Sequence, residues 1–198
     1  NLRNVNYFFE YYKVPEAEET KDVLSLKGEA YFFRAYSYFD LLQLYGDVII
    51  TKKPLDITDP EMKVKRNDRS EVVDLIIDDL NHAVENLPAF KELTTEEEGR
   101  ISKEGAQAFL SRVALYEGTW QKSRNGNQNT QRSANLLDIA AKAARTVIDA
   151  KYGYTFRLFG TDSETKILGD SAQKYMFILE NEKSNPAGIK KSSNHEYI

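Results

Sequence analysis

Apolar positions along this chain fall into helical stripes separated by polar inserts, and the longest stripe lies between Asp22 and Tyr45. Leu24, Gly28, Tyr31, Ala35, Tyr38, Leu42 and Tyr45 recur alternately four and three residues apart, which puts them on one face of a helix. Gly46 offers the left-handed position that ends a helix, so the helix is predicted to stop there. Val48 to Thr51 is a β-branched run that predicts a short strand, closed by Pro54. Upstream, Leu2, Val5, Tyr7, Phe8, Phe9, Tyr11 and Tyr12 make a helical segment apolar nearly all round, a pattern that predicts burial. Downstream, Asp68-Arg69-Ser70-Glu71 has the spacing of a capping box. The stripe Val73, Ile76, Ile77, Leu80, Ala83, Val84, Leu87 then runs until Pro88 stops it.

The pattern repeats. Ser102 is predicted to cap a helix from Ser102 to Trp120, and setting Arg34 against Arg112 places Ala35 opposite Val113 and Tyr38 opposite Tyr116. A partner helix follows, with Ser133 as its expected N-cap and Leu136, Leu137, Ala140, Ala141, Ala144, Val147 and Ile148 on its apolar side. Its small residues would let a neighbouring helix approach closely, as tetratricopeptide (TPR) hairpins require. Two hairpins are thus written, each carrying an insert of roughly 24 and 12 residues where ~2–8 are usual. The acidic stretch 91–99 is expected to be a mobile loop. Helical periodicity ends at Tyr152: Tyr152 to Phe156 predicts a turn into extended chain, and Tyr175 to Glu180 a strand. The expected fold is mainly α, with TPR-like hairpins over residues 1–151, irregular or extended chain over 152–198, and a few short strands.

The run G-E-A-Y-F-F-R-A-Y-S-Y-F-D-L-L-Q-L-Y-G-D-V from Gly28 to Val48, with the following K-K-P-L-D from Lys52 to Asp56, resembles the signature helix of the SusD/RagB family. R-N-V-N-Y-F-F-E from Arg3 to Glu10 is similar to that family's R-N-x-N-x-F-x-E segment. The resemblance implies a SusD-like α-α superhelix in an outer-membrane lipoprotein of Bacteroidetes. Such a protein binds a polysaccharide or oligosaccharide, or another nutrient, without chemistry and delivers it to a TonB-dependent, SusC-like transporter. The helical half would dock on that transporter, and contact with the membrane would run only through a lipid anchor. Because the start reads as a helix already under way and Asn181 to Gly188 resembles the segment leading into the variable ligand-facing half, an internal fragment is expected. The alternative is a TPR-type scaffold for protein–protein interaction, binding a peptide in its concave groove. It predicts grooves lined by Asn, Lys and Arg, which the aromatic helices do not offer, and a regular TPR array would have neither insert.

Composition narrows the chemistry. A net charge of -4 and a pI near 5.4 give no basic footprint for nucleic acid. With no cysteine there is no disulfide, thiolate metal site or cysteine nucleophile. His82 and His195 are the only histidines and have no metal-binding spacing, and no nucleophile-elbow, phosphate-loop or dinucleotide motif occurs. The acid pairs Asp78/Asp79 and Glu96/Glu97/Glu98 do not read as a glycosidase pair, which needs one acid in an apolar pocket. Neither catalysis nor a cofactor is expected. For sugar binding the candidates are Trp120, as an exposed ring at a helix end, with Arg124 and Asn125 in the polar loop behind it. The competing reading packs Trp120 beneath that loop as a hinge, and it is preferred because Y-E-G-T-W looks like a general feature of the family. The aromatic residues of the first long helix are expected in the core, with Arg34 snorkelling or paired to an acid such as Asp40.

Overall fold

A computed structural model describes residues 2–97, 99–124, 130–161, 163 and 165–175. Helix α1 spans Leu2–Tyr11, α2 Lys21–Tyr45, α3 Arg69–Asn86, α4 Lys103–Arg124 and α5 Thr130–Ile148. Helices α2 and α3 form one antiparallel hairpin and α4 and α5 a second, with α3 packed against α4 and α1 against α2. The core lies where these faces meet: Ala35, Tyr38, Phe39 and Leu42 from α2, Val72, Val73, Ile76, Leu80 and Ala83 from α3, and Ala106, Leu110 and Val113 from α4 are buried. Leu136 and Ala143 close it from α5.

Close approach in each hairpin depends on a glycine. A Cβ on Gly28 would lie 2.8 Å from Leu87 Cγ, and one on Gly118 would lie 3.0 Å from Leu137 Cγ. The small-residue side of α5 is only partly used: Ala140 and Ala143 are buried, whereas Ala141 is exposed. Two caps match the sequence expectation. Asp68 and Glu71 form the capping box of α3, and Ser102 Oγ accepts from Gly105 N–H at the start of α4.

Several expectations are corrected. Val48 to Thr51 is not a strand; Val48 makes only an isolated antiparallel bridge with Asn67, and no strand occurs among the described residues. β-Propensity without an adjacent strand leaves the run's polar groups to other partners: Ile50 N–H donates to Asn67 Oδ1 at 2.9 Å and Thr51 N–H to Tyr38 Oη at 2.8 Å. For the strand expected at 175–180, Tyr175 instead ends a short helix, Ala172–Tyr175, and 176–180 lie outside the described residues. Helix α1 is not enclosed. Asn6 is its one buried residue, donating to Thr51 O and Lys53 O at 3.1 and 3.2 Å, while Tyr7 and Tyr11 are exposed.

The second insert is shorter than expected, because α4 continues through Trp120 to Arg124 and α5 begins at Thr130. Ser133 therefore sits inside α5, where its buried hydroxyl donates to Gly118 O at 2.8 Å and ties the hairpin together rather than capping it. The acidic stretch after Pro88 is organised by 3-10 turns at Phe90–Glu92 and Thr95–Glu97, with Glu97 accepting from Thr94 and Arg100 paired to Glu29 at 2.7 Å. Lys166–Ser171 also forms a 3-10 segment.

Candidate ligand-binding site

Trp120 belongs to a junction where the end of α2, the first insert, the start of α3 and the last turns of α4 converge. Gly46, at a φ of 69°, ends α2 and turns the chain into the insert. The insert returns through the Val48–Asn67 bridge, which delivers Arg69 to the first position of α3. Arg69 then reaches across to α4: its Nε and Nη2 lie 2.8 and 2.7 Å from Glu117 Oε2, and its guanidinium carbon sits 4.1 Å from the centre of the Trp120 ring. Glu117 is fully buried, and Gln121 Nε2 donates to its other oxygen at 2.6 Å. Asp47 accepts the Arg69 backbone N–H at 3.0 Å, closing the ring of contacts.

Outside this network lies an open depression of about 470 Å³, lined in part by Tyr45, Asp47, Arg66, Asp68, Trp120 and Gln121. The Asp68 carboxyl is held below its ordinary value because the Ser70 hydroxyl and backbone N–H both donate to it, so it stays an acceptor. The lining offers an aromatic ring, acids, an arginine and an amide. Those groups can stack on a pyranose face and bond its hydroxyls, but they include no activated nucleophile. Among the described residues no group of three His, Asp or Glu side chains could hold a metal.

Of the sequence-based candidates, Trp120 lines this depression half-buried, with the Arg69 guanidinium on its ring. Arg124 is the exposed last residue of α4 and is not part of the lining, and Asn125 lies outside the described residues. Trp120 does not end its helix. Arg69 and Glu117 were not singled out from sequence, although a signal existed: Glu117 falls on the buried side of α4 beside Val113, Ala114 and Gly118, and an acid there requires a cation from a facing helix.

The second acid on a buried face answers the question of Arg34. It does not pair with Asp40. Its Nε and Nη2 donate to Asp79 at 2.8 and 2.6 Å, with the guanidinium 4.6 Å from the Phe9 ring. Burial pushes the Asp79 carboxyl up, while the bonds from Arg34 oppose that shift. His82 stacks on Tyr31 with ring centres 4.9 Å apart, at the surface of α3.

Residues 1–115 match the family model SusD-like_3, described as starch-binding associating with outer membrane. A SusD-like protein of Bacteroides ovatus is 29% identical over 136 residues, which cover 69% of this chain and 22% of that protein. A SusD-like protein of Formosa agariphila is 26% identical over 184 residues, covering 91% of this chain and 34% of its own length. Among solved structures, a SusD-like protein from Bacteroides fragilis superposes with a TM-score of 0.62 at 28% identity, covering 83% of this chain and 27% of that one. A laminarin-binding SusD-like protein superposes at 0.60 and 25% identity, over 86% of this chain and 34% of that one. The chain thus spans about a third or less of the length of these relatives. With more than half of its residues matched by the family model and its helical hairpins superposing on those structures, the chain belongs to the SusD-like family.

Proposed function

We propose that this chain is the helical part of a cell-surface protein of the outer membrane that binds a polysaccharide or oligosaccharide without transforming it and passes it to a TonB-dependent transporter. The match of residues 1–115 to a starch-binding family associated with the outer membrane carries the reading. The likeness to a laminarin-binding structure supports it. Residues 1–151 form the helical scaffold in this reading, and 152–198 are the irregular or extended segment that follows it in sequence. Uncovered Phe33, Tyr36 and Leu44 along α2 give the scaffold apolar surface for a protein partner such as the transporter.

The acids support binding over catalysis: Asp79 and Glu117 are each committed to an arginine of the neighbouring helix, and Asp68 to its cap. Within this chain, Trp120 and the depression before it are the place for a sugar ring, with Arg124 at the end of the same helix and Asn125 next to it in sequence. The test follows emission of Trp120, the only tryptophan, while laminarin, soluble starch and xyloglucan oligosaccharides are titrated into the 198-residue chain, with reducing ends assayed in parallel. A saturable spectral change with at least one glycan and no release of reducing sugar is expected. Release of reducing sugar, or no binding to any glycan by emission and by calorimetry, overturns the proposal.

A further inference from the structure

The depression beside Trp120 has a second ring in its lining, Tyr45, the last residue of α2. It follows Tyr38 and Leu42 on the helix face that fills the core, yet those two are fully buried and Tyr45 is 65% exposed. The turn at Gly46 is the reason: the chain leaves the helix there, and the face that buries Tyr38 and Leu42 runs out into the depression. The two rings of the lining differ in what covers them. The Arg69 guanidinium lies 4.1 Å from the centre of the Trp120 ring, so one face of that ring is already taken. Among the described residues Tyr45 has no ring partner, no cation over its face and no hydrogen bond at its hydroxyl.

Hydrogen-bonding groups share the same lining. Arg66 is exposed and enters no ion pair among the described residues. Asp68 spends Oδ1 on the hydroxyl and backbone N–H of Ser70, which leaves its other oxygen to accept from a ligand. The volume of about 470 Å³ falls in the range of about 300–1,000 Å³ usual for ligand sites. An apolar contact with another protein would call for a broad hydrophobic patch around the ring; here the ring sits in a concavity whose other members are mostly polar. An uncovered ring bordered by a donor and an acceptor matches a ligand with a flat apolar face and hydroxyl edges. We propose that Tyr45 is a sugar-contacting residue of this depression, its ring carrying the apolar face of one pyranose of a glycan while Arg66 and Asp68 bond the hydroxyls of that unit. This inference rests on the glycan-binding reading above and names a contact residue within it.

The test is calorimetric titration, with Trp120 emission followed alongside, of the 198-residue chain and its Tyr45→Ala, Tyr45→Phe and Tyr11→Ala variants, using whichever of laminarin, soluble starch and xyloglucan oligosaccharides the parent chain binds best. Affinity about tenfold weaker is expected for Tyr45→Ala, with the Trp120 emission change saturating at correspondingly higher glycan concentration, and affinity within about twofold of the parent for Tyr45→Phe, which keeps the ring. Tyr11→Ala removes a tyrosine of similar exposure at the end of α1, outside this lining, and should bind as the parent does. Thermal midpoints of the Tyr45 variants should match the parent, since most of that side chain is already in water. If the parent binds and Tyr45→Ala binds equally well, whether or not its midpoint falls, the contact is overturned while the glycan-binding reading stands. It is overturned likewise if Tyr45→Phe loses as much as Tyr45→Ala, because the ring then carries nothing, or if Tyr11→Ala loses as much, because the effect is then not local to the depression. If the parent binds no glycan, the reading itself fails and the contact with it.

Discussion

The Arg34–Asp79 pair gives the sharpest energetic prediction, because its two halves differ in what they can do when left alone. Arg34 is 7% exposed and Asp79 is fully buried, and two hydrogen bonds join them across α2 and α3. Removing Asp79, as in Asp79→Leu, strands a guanidinium that cannot release its proton, and breaking a buried pair in this way costs about 3–5 kcal/mol. Against a total stability of about 5–15 kcal/mol, that is a large share. Removing Arg34, as in Arg34→Met, strands a carboxyl whose pKa burial already pushes up, so it can take a proton and become neutral.

A folded-state pKa above the unfolded value means that the folded state is the better proton binder, so stability rises as pH falls toward about 3.9. The Arg34→Met deficit should therefore shrink between pH 7 and pH 5, by up to about 1.4 kcal/mol for each pH unit below the raised pKa. The Asp79→Leu variant has no carboxyl at this position, so its own stability should lack that dependence. The double variant should lose much less than the sum of the single losses, because apolar groups replace both charges. Urea unfolding followed by circular dichroism at the two pH values measures all four proteins. Single losses below about 1 kcal/mol, or an Arg34→Met deficit independent of pH, would show that the pair is solvated and refute the reasoning.

Two glycines in helices should respond oppositely to alanine. Gly28→Ala gains up to about 1 kcal/mol of helix propensity but drives a methyl to 2.8 Å from Leu87 Cγ and 3.0 Å from Leu87 N, an overpacking worth about 1–3 kcal/mol, so a net loss near 1 kcal/mol is expected. Gly105→Ala meets nothing nearer than 3.8 Å and should gain a few tenths to about 1 kcal/mol; thermal melts of both variants decide between them. Asp68→Ala removes the α3 cap and should cost about 1 kcal/mol at pH 7. Since the Asp68 carboxyl is depressed in the folded chain, its contribution is complete above pH about 3.9 and fades as pH falls further, so the gap between parent and variant should narrow progressively below that pH in denaturant titrations.

The helix inventory was legible because its signals are local. The alternating spacing from Leu24 to Tyr45, the turn at Gly46, the Asp68–Glu71 box and the stop at Pro88 each involve residues a few positions apart, and each appears where expected. The family resemblance is carried by the same stretch, which lies within the matched residues 1–115. What failed needed partners distant in sequence. Val48 to Thr51 has strand composition, but a strand exists only with a neighbour, and here the neighbour is one residue, Asn67. Ser133 has the chemistry of a cap, yet the α4–α5 crossing sets its hydroxyl on Gly118 O.

Arg34 had an acid six residues away on its own helix and found another 45 residues on, because six residues along a helix point to a different face while the hairpin register brings Asp79 alongside. Trp120 was visible as a lone tryptophan, but the arginine on its ring comes from the start of α3, across the first insert. The sequence by itself determined which segments form the five long helices, where α2 stops and α3 starts and stops, and which family they belong to, since those depend on short-range periodicity and capping. Tertiary structure alone decided which charges are buried together and which aromatic faces stay open, since those depend on how whole helices cross.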